Sequence, residues 1–194
     1  LPSKGIAAYK RQRSVKYNEL MCQRKWVLEN YELAILAGGV SKGKFEFLPK
    51  AREELGVEKR FHRSEQRPGK PFWFGTYQDK TTVFAFPGNP VSSFMCAQVY
   101  FVPWLNKCLK TEERPIPKAV LTEDFEFNPN LSFFLEVKID FSPDGKLLAI
   151  PAKGHGSGDL ANLIEVDGYL LLPQGKGLYK AGEAYQYILF RDSL

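Results

Sequence analysis

Two short apolar runs ending in glycine or proline corners constrain the fold more than any other feature of the chain. Leu33-Ala34-Ile35-Leu36-Ala37 has the unbroken apolar character of a strand buried on both faces, and it ends in Gly38-Gly39. Thr81-Thr82-Val83-Phe84-Ala85-Phe86 is a second such strand. It runs into Pro87-Gly88-Asn89-Pro90 and then a helix to about Leu105. Between them, residues 49–55 (PKAREEL) read as a helix, with Pro49 near its first position and Gly56 as its stop. Residues 57–63 read as a strand and Pro68-Gly69-Lys70-Pro71 as a turn. Strand–loop–helix units repeated this way favour a parallel α/β sheet.

The character changes after about Lys110. Residues 110–117 combine charge with Pro115 and Pro117, the composition of an exposed linker. Beyond it, residues 119–127, 131–140, 146–151, 169–172 and 184–190 read as strands. Turns at Asn128-Pro129-Asn130 and Ser142-Pro143-Asp144-Gly145 separate some of them. Short strands at this spacing predict a small barrel or sandwich.

Composition excludes several classes. The 194 residues are 44% hydrophobic and 25% charged, as in an ordinary globular protein. No apolar stretch approaches the ~18–20 residues of a membrane helix, and the first thirty residues hold no secretory apolar core. Cys22, Cys96 and Cys108 are an odd set without C-x-x-C spacing, and His62 and His155 alone cannot build a zinc site. A reducing cytoplasm is the expected location.

The formal charge of +5 is local. Seven Lys and Arg stand against Glu19 and Glu29 in residues 1–30, while the remaining 164 residues hold twenty charges of each sign. Binding of nucleic acid by the whole surface is therefore not implied. Residues 1–27 form a distinct basic segment, read as a solvated lead-in, and residues 17–30 have the makings of a helix.

Four segments carry possible chemistry. Gly38 to Glu46 (GGVSKGKFE) follows a buried strand, where glycines expose backbone N–H groups and Ser41, Lys42 and Lys44 add donors and charge. It is neither a Walker loop, since Phe45 follows Gly43-Lys44, nor G-x-G-x-x-G. A tight turn and an anion cradle both fit. At Pro87-Gly88-Asn89-Pro90-Val91-Ser92-Ser93, Asn89 suits an N-cap and Pro90 the first helical position. Ser92 and Ser93 then fall beside unpaired N–H groups that attract anions; helix capping alone needs neither serine. In Arg67-Pro68-Gly69-Lys70-Pro71, two prolines stiffen the mounting of an ammonium suited to a tetrahedral dianion, or simply make a rigid surface turn. Residues 154–163 (GHGSGDLANL) have alternating glycines that allow close approach of a ligand or subunit. Cys96 is expected to be an inert packed thiol.

GGVSKG (38–43), QRPGKPFWFG (66–75), FPGNPVSS (86–93) and GHGSGDLANL (154–163), in this order, resemble the second half of the molybdopterin molybdenumtransferases, the MoeA and gephyrin E-domain family. The resemblance runs over roughly residues 28–194. It implies an incomplete MoaB/MogA-like parallel-sheet α/β domain at 28–109, a linker at 110–117 and a C-terminal β-barrel at 118–194. It also implies a homodimer that inserts molybdate into adenylylated molybdopterin, with magnesium, and releases AMP. Residue by residue, it assigns molybdopterin or phosphate contacts to Gly38, Gly39, Ser41, Gly43, Gly88 and Asn89. It gives molybdate to Arg67, Lys70 and Ser92, magnesium to Glu46, and a C-terminal domain loop to Gly156 and Ser157. Catalysis falls to Lys70, Ser92 and Glu46.

Three departures stand out. Glu46 occupies the place of a family aspartate, which moves the carboxylate ~1.5 Å outward at a site where magnesium demands strict geometry. Val166-Asp167-Gly168 replaces the Ala-Asn-Gly of many members. Family members also carry N-terminal domains and a first strand–loop–helix with no counterpart here. The expectation is a disrupted gene, or a chain whose N-terminal half is encoded separately, leaving a sheet edge exposed. The partner is then a second copy or that missing half. A non-catalytic remnant that binds molybdopterin or a partner protein is the alternative reading. A basic-tailed nucleic-acid binder is disfavoured by the neutral remainder.

Overall fold

The computed structural model describes residues 17–37, 54–111, 115–152 and 162–190. Helix α1 (Tyr17–Asn30) precedes strand β1 (Leu33–Ala37). The helix is no mere lead-in. Val27 and Leu28 pack against Ala34, Val57, Trp73, Tyr77, Val83 and Ala85 on one face of the sheet. The buried Thr81 hydroxyl faces the carbonyls of Leu28 and Tyr31 at 2.7 and 2.6 Å, tying the end of α1 to β5.

The first sheet contains β1, β2 (Val57–His62), β4 (Trp73–Tyr77) and β5 (Thr81–Phe86) in the order β1-β5-β4-β2. It is mixed, where the strand–loop–helix pattern favours a parallel sheet. β1 and β5 are parallel, but β4 is antiparallel to both β5 and β2. The reason is β4 itself, which the sequence reading missed. Its residues alternate between buried and half-buried, the period of a strand. Gly75 at its centre disguises the pattern, but a Cβ there would lie 2.3 Å from the Glu58 carbonyl oxygen, so β2 can pair only with glycine. Gln78 and Asp79, both at φ +49°, make the left-handed turn that folds β4 back on β5. Among the described strands β1 has a neighbour on one side only, and Ile35 is 46% exposed.

After β5 the chain forms α2 (Pro90–Cys96), a π-helical turn (Ala97–Phe101) and α3 (Val102–Cys108). The Val102 N–H reaches back to the Ala97 carbonyl, an i→i−5 bond. That wider turn lies immediately ahead of Pro103, which has no N–H to donate. The predicted helix of residues 49–55 lies almost wholly outside the described residues.

The second unit contains β6 (Lys118–Leu121), β7 (Phe125–Glu126), β8 (Ser132–Phe141), β9 (Leu147–Pro151), helix α4 (Asn162–Glu165), β10 (Gly168–Leu172), β11 (Leu178–Tyr179) and β12 (Ala184–Leu189). The run 119–127 thus divides into β6 and β7. Pairing runs β10-β12-β6-β9-β8, and β8 also pairs with β10, so the ring closes. Closure makes this a barrel and not a sandwich. Ala119, Leu121, Leu135, Val137, Leu170 and Tyr187 are among its core residues. Asp167 Oδ2 accepts a 2.9 Å bond from the Ile139 N–H. An asparagine carbonyl would accept the same bond, so the Val166-Asp167-Gly168 departure is a structural exchange within the barrel.

On the barrel surface, Glu183 accepts from Lys176 Nζ at 2.6 Å, from the Lys180 N–H at 3.0 Å and from the Tyr185 hydroxyl. These bonds, that from Lys176 first, hold its carboxyl down at about 2 against an ordinary 4.5. A depressed carboxyl contributes stability above the unfolded value and loses it as pH falls toward the folded one. The melting temperature should therefore decline between about pH 4.5 and pH 2. In the Glu183→Gln variant that decline should be shallower, so the two melting curves converge near pH 2.

The two units are joined physically. Phe72, Phe84, Phe86, Met95 and Cys96 of the first pack with Phe134 and Tyr169 of the barrel in one buried cluster. A two-residue strand, β3 (Gln66–Arg67), extends from the first unit and pairs with Ser132 and Phe133 of β8. No helix among the described residues is long and apolar enough to cross a membrane.

Candidate oxyanion site

Three strand ends lie at one edge of the first sheet. Ala37, the last residue of β1, lies opposite Phe86, the last of β5. Trp73, the first residue of β4, lies opposite Ala85. The chain therefore leaves β1 and β5 and enters β4 at the same edge. This is the carboxyl end of the parallel pair, where ligand sites of α/β sheets form.

The corner after β5 is built as its sequence dictates. Asn89 has extended backbone (φ −76°, ψ 124°) and its side-chain oxygen accepts from the Ser92 N–H at 3.0 Å. Pro90 follows in the first turn. The two serines then part ways. Ser93 donates its hydroxyl to the Pro87 carbonyl and so helps close the corner, a structural use the sequence reading did not assign. Ser92 is only 7% exposed, the sole serine among the buried polar residues of the described chain. Gly88 is exposed at the tip, while the Asn89 side-chain oxygen is occupied by capping.

The corner before β4 carries Arg67 and Lys70. Arg67 points outward from β3, while its neighbour Gln66 is buried. Lys70 is half exposed and pairs with Glu65 at 3.3 Å, a solvent-screened contact. Gly69 seats the turn on α2. Its φ is +86°, and a Cβ added there would lie 2.6 Å from Cys96 Sγ and 2.7 Å from Met95 Cε. Met95 and Cys96 stand three and four positions after Ser92, on the same helical face. The Lys70 turn is thus packed one helical turn beyond Ser92. Burial pushes the Cys96 thiol up to about 12, so it is an inert packing group as expected.

Gly38, Gly39, Ser41, Gly43 and Glu46 lie outside the described residues, as do Gly156 and Ser157. The sequence reading missed Ser64, Gln66 and Tyr100, whose side chains form one hydrogen-bonded group beneath the Arg67–Lys70 turn. Nothing local marks them, since their meeting requires β2, β3 and the π turn to be packed together. Among the described residues, no three His, Cys, Asp or Glu side chains gather into a cation site.

An α/β unit with these corners, joined to a closed barrel, defines a two-part α/β-and-barrel protein. Residues 15–107 match the family described as the probable molybdopterin binding domain, and residues 118–190 match the MoeA C-terminal region, domain IV. The chain thus carries, in this order, the two domains these models describe, and it resembles the C-terminal part of the molybdopterin molybdenumtransferases. The first match begins at residue 15, inside the segment 1–27 that composition sets apart.

Over 158 residues the chain is 39% identical to a molybdopterin molybdenumtransferase of Synechocystis, covering 81% of this chain and 38% of that protein. Over 170 residues it is 29% identical to the Bacillus subtilis protein of the same name, covering 87% of this chain and 39% of the relative. The chain thus spans about two fifths of the length of these relatives. The crystal structure of a molybdopterin biosynthesis MoeA protein from Pyrococcus horikosii superposes with a TM-score of 0.69 at 26% identity, covering 89% of this chain and 41% of that one.

Proposed function

We propose that the chain carries the molybdate pocket of a molybdenum-cofactor synthesis enzyme, one that inserts molybdate into adenylylated molybdopterin and releases AMP. The observation that carries this reading is the shared sheet edge set by the Ala37–Phe86 and Trp73–Ala85 registers. Molybdate is a tetrahedral dianion that offers acceptors only. Lys70 and Arg67 supply positive donors, and the Ser92 hydroxyl supplies a neutral one. On entry the dianion takes the place of Glu65 beside Lys70, and opening such a surface pair costs only ~0–1 kcal/mol. Held there, molybdate is presented to the dithiolene sulfurs of the pterin, so the pocket works mainly by positioning and charge.

The Ser41 loop would hold the pterin phosphate, as the family resemblance implies. Magnesium would sit at Glu46 and offset the charge of the phosphoanhydride. The partner on this reading is a second copy of the chain.

The test is AMP release from adenylylated molybdopterin by the purified chain, with and without molybdate. Molybdate-dependent release supports the reading. Binding of the pterin without release favours the non-catalytic alternative, and failure to bind either ligand rejects both.

A further inference from the structure

The loop from β2 to β4 carries both cations of the proposed pocket, and its inner side is closed by a chain of hydrogen bonds. The Arg63 N–H donates to the Phe72 carbonyl and the Ser64 N–H to the Lys70 carbonyl, each at 3.1 Å. The Ser64 hydroxyl donates to Gln66 Oε1 at 2.6 Å. The same oxygen accepts from the Tyr100 hydroxyl. Gln66 is 3% exposed, and its backbone is held by β8 of the barrel. Tyr100 belongs to the π-helical turn, and its ring stacks on Phe72 with centroids 4.4 Å apart and planes at 13°. Burial raises the Tyr100 pKa, which keeps the hydroxyl protonated as a donor.

This arrangement places the Tyr100 hydroxyl in direct contact with both Gln66 and the Ser64 hydroxyl, the latter at 3.4 Å, and Ser64 in turn holds the Lys70 carbonyl. Arg67 and Lys70 are thereby flanked by two fixed points, buried Gln66 and Gly69 packed on α2. Packing alone would need the Tyr100 ring but not its hydroxyl. We infer that Tyr100, acting through Gln66 and Ser64, is a positioning residue that sets the Arg67–Lys70 turn for a tetrahedral oxyanion. The π turn supplies the donor, and the barrel strand β8 supplies the anchor for its acceptor. This inference rests on the pocket proposed above.

The decisive variant is Tyr100→Phe, which keeps the ring stack and removes the hydroxyl. Molybdate binding by the full chain is measured by titration calorimetry, alongside the melting temperature and amide exchange at Ser64. The expected result is a roughly five- to tenfold weaker Kd and faster exchange at the Ser64 amide, with the melting temperature nearly unchanged. Ser64→Ala, which cuts the same chain at its other hydroxyl, should act in the same direction and serves if Tyr100→Phe folds poorly. Unchanged affinity in both variants, while Lys70→Ala still weakens binding by about tenfold or more, overturns the positioning role and leaves the pocket standing. No molybdate binding by the unaltered chain defeats the pocket and the positioning role together. Faster Ser64 exchange would then mark the hydrogen-bonded chain as purely structural.

Discussion

Replacing Lys70 with alanine is expected to weaken molybdate binding by about 10- to 100-fold and to abolish measurable AMP release, while leaving the fold intact. A hydrogen bond to a charged group contributes ~1.5–3 kcal/mol, and ~1.4 kcal/mol corresponds to tenfold in affinity. The ammonium is half exposed and its protein partner is the exposed Glu65, so its loss should change stability by less than about 0.5 kcal/mol. Calorimetric titration with molybdate and a thermal melt separate the two effects. Glu65→Gln is the informative control. It removes the same ion pair but leaves the cation, so it should preserve or tighten molybdate binding. Equal losses in the Lys70→Ala and Glu65→Gln variants would show that the pair, and not the ammonium, matters.

The largest stability effect should come from Gly69→Ala, at about 2–4 kcal/mol of destabilisation. Two causes combine. The residue sits at φ +86°, where a side chain costs ~1–2 kcal/mol. The added carbon would also fall 2.6 Å from the buried Cys96 Sγ, and overpacking of this kind costs ~1–3 kcal/mol. Met95 Cε, at 2.7 Å, can swing aside because it ends a flexible side chain. Chemical denaturation should show a lower midpoint with an unchanged slope. Combining Gly69→Ala with Cys96→Ala should recover the contact part but not the backbone part, giving less than additive loss. The same change should weaken molybdate binding, because the turn that carries Lys70 would lift from α2.

How much of this was legible beforehand depends on the range of each interaction. β1, β5 and the Asn89-Pro90 cap were readable because each rests on a short run of neighbouring residues. Most barrel strands were readable for the same reason, through alternation and turn residues. Cys96 is the packing thiol that its place in an apolar helix implies. The antiparallel half of the first sheet was not readable, because β4 is interrupted by Gly75, whose need appears only when the Glu58 carbonyl approaches. Helix α1 is sparsely apolar, yet Val27 and Leu28 give it a buried face once the sheet lies beneath them. The structural use of Ser93 was hidden as well, since its acceptor is the carbonyl of Pro87, six residues back around a corner.

The two-part organisation, the glycine–proline corners and the cations at Arg67 and Lys70 are all written in the order of the residues. Those are properties of residues within one turn or strand of each other. Only the tertiary structure decided that β3 would join the barrel, that β8 would close the ring with β10, and that Tyr100 would meet Gln66. Each of these pairs residues from separate elements, and a contact made after the chain has folded back leaves no periodic trace in its order.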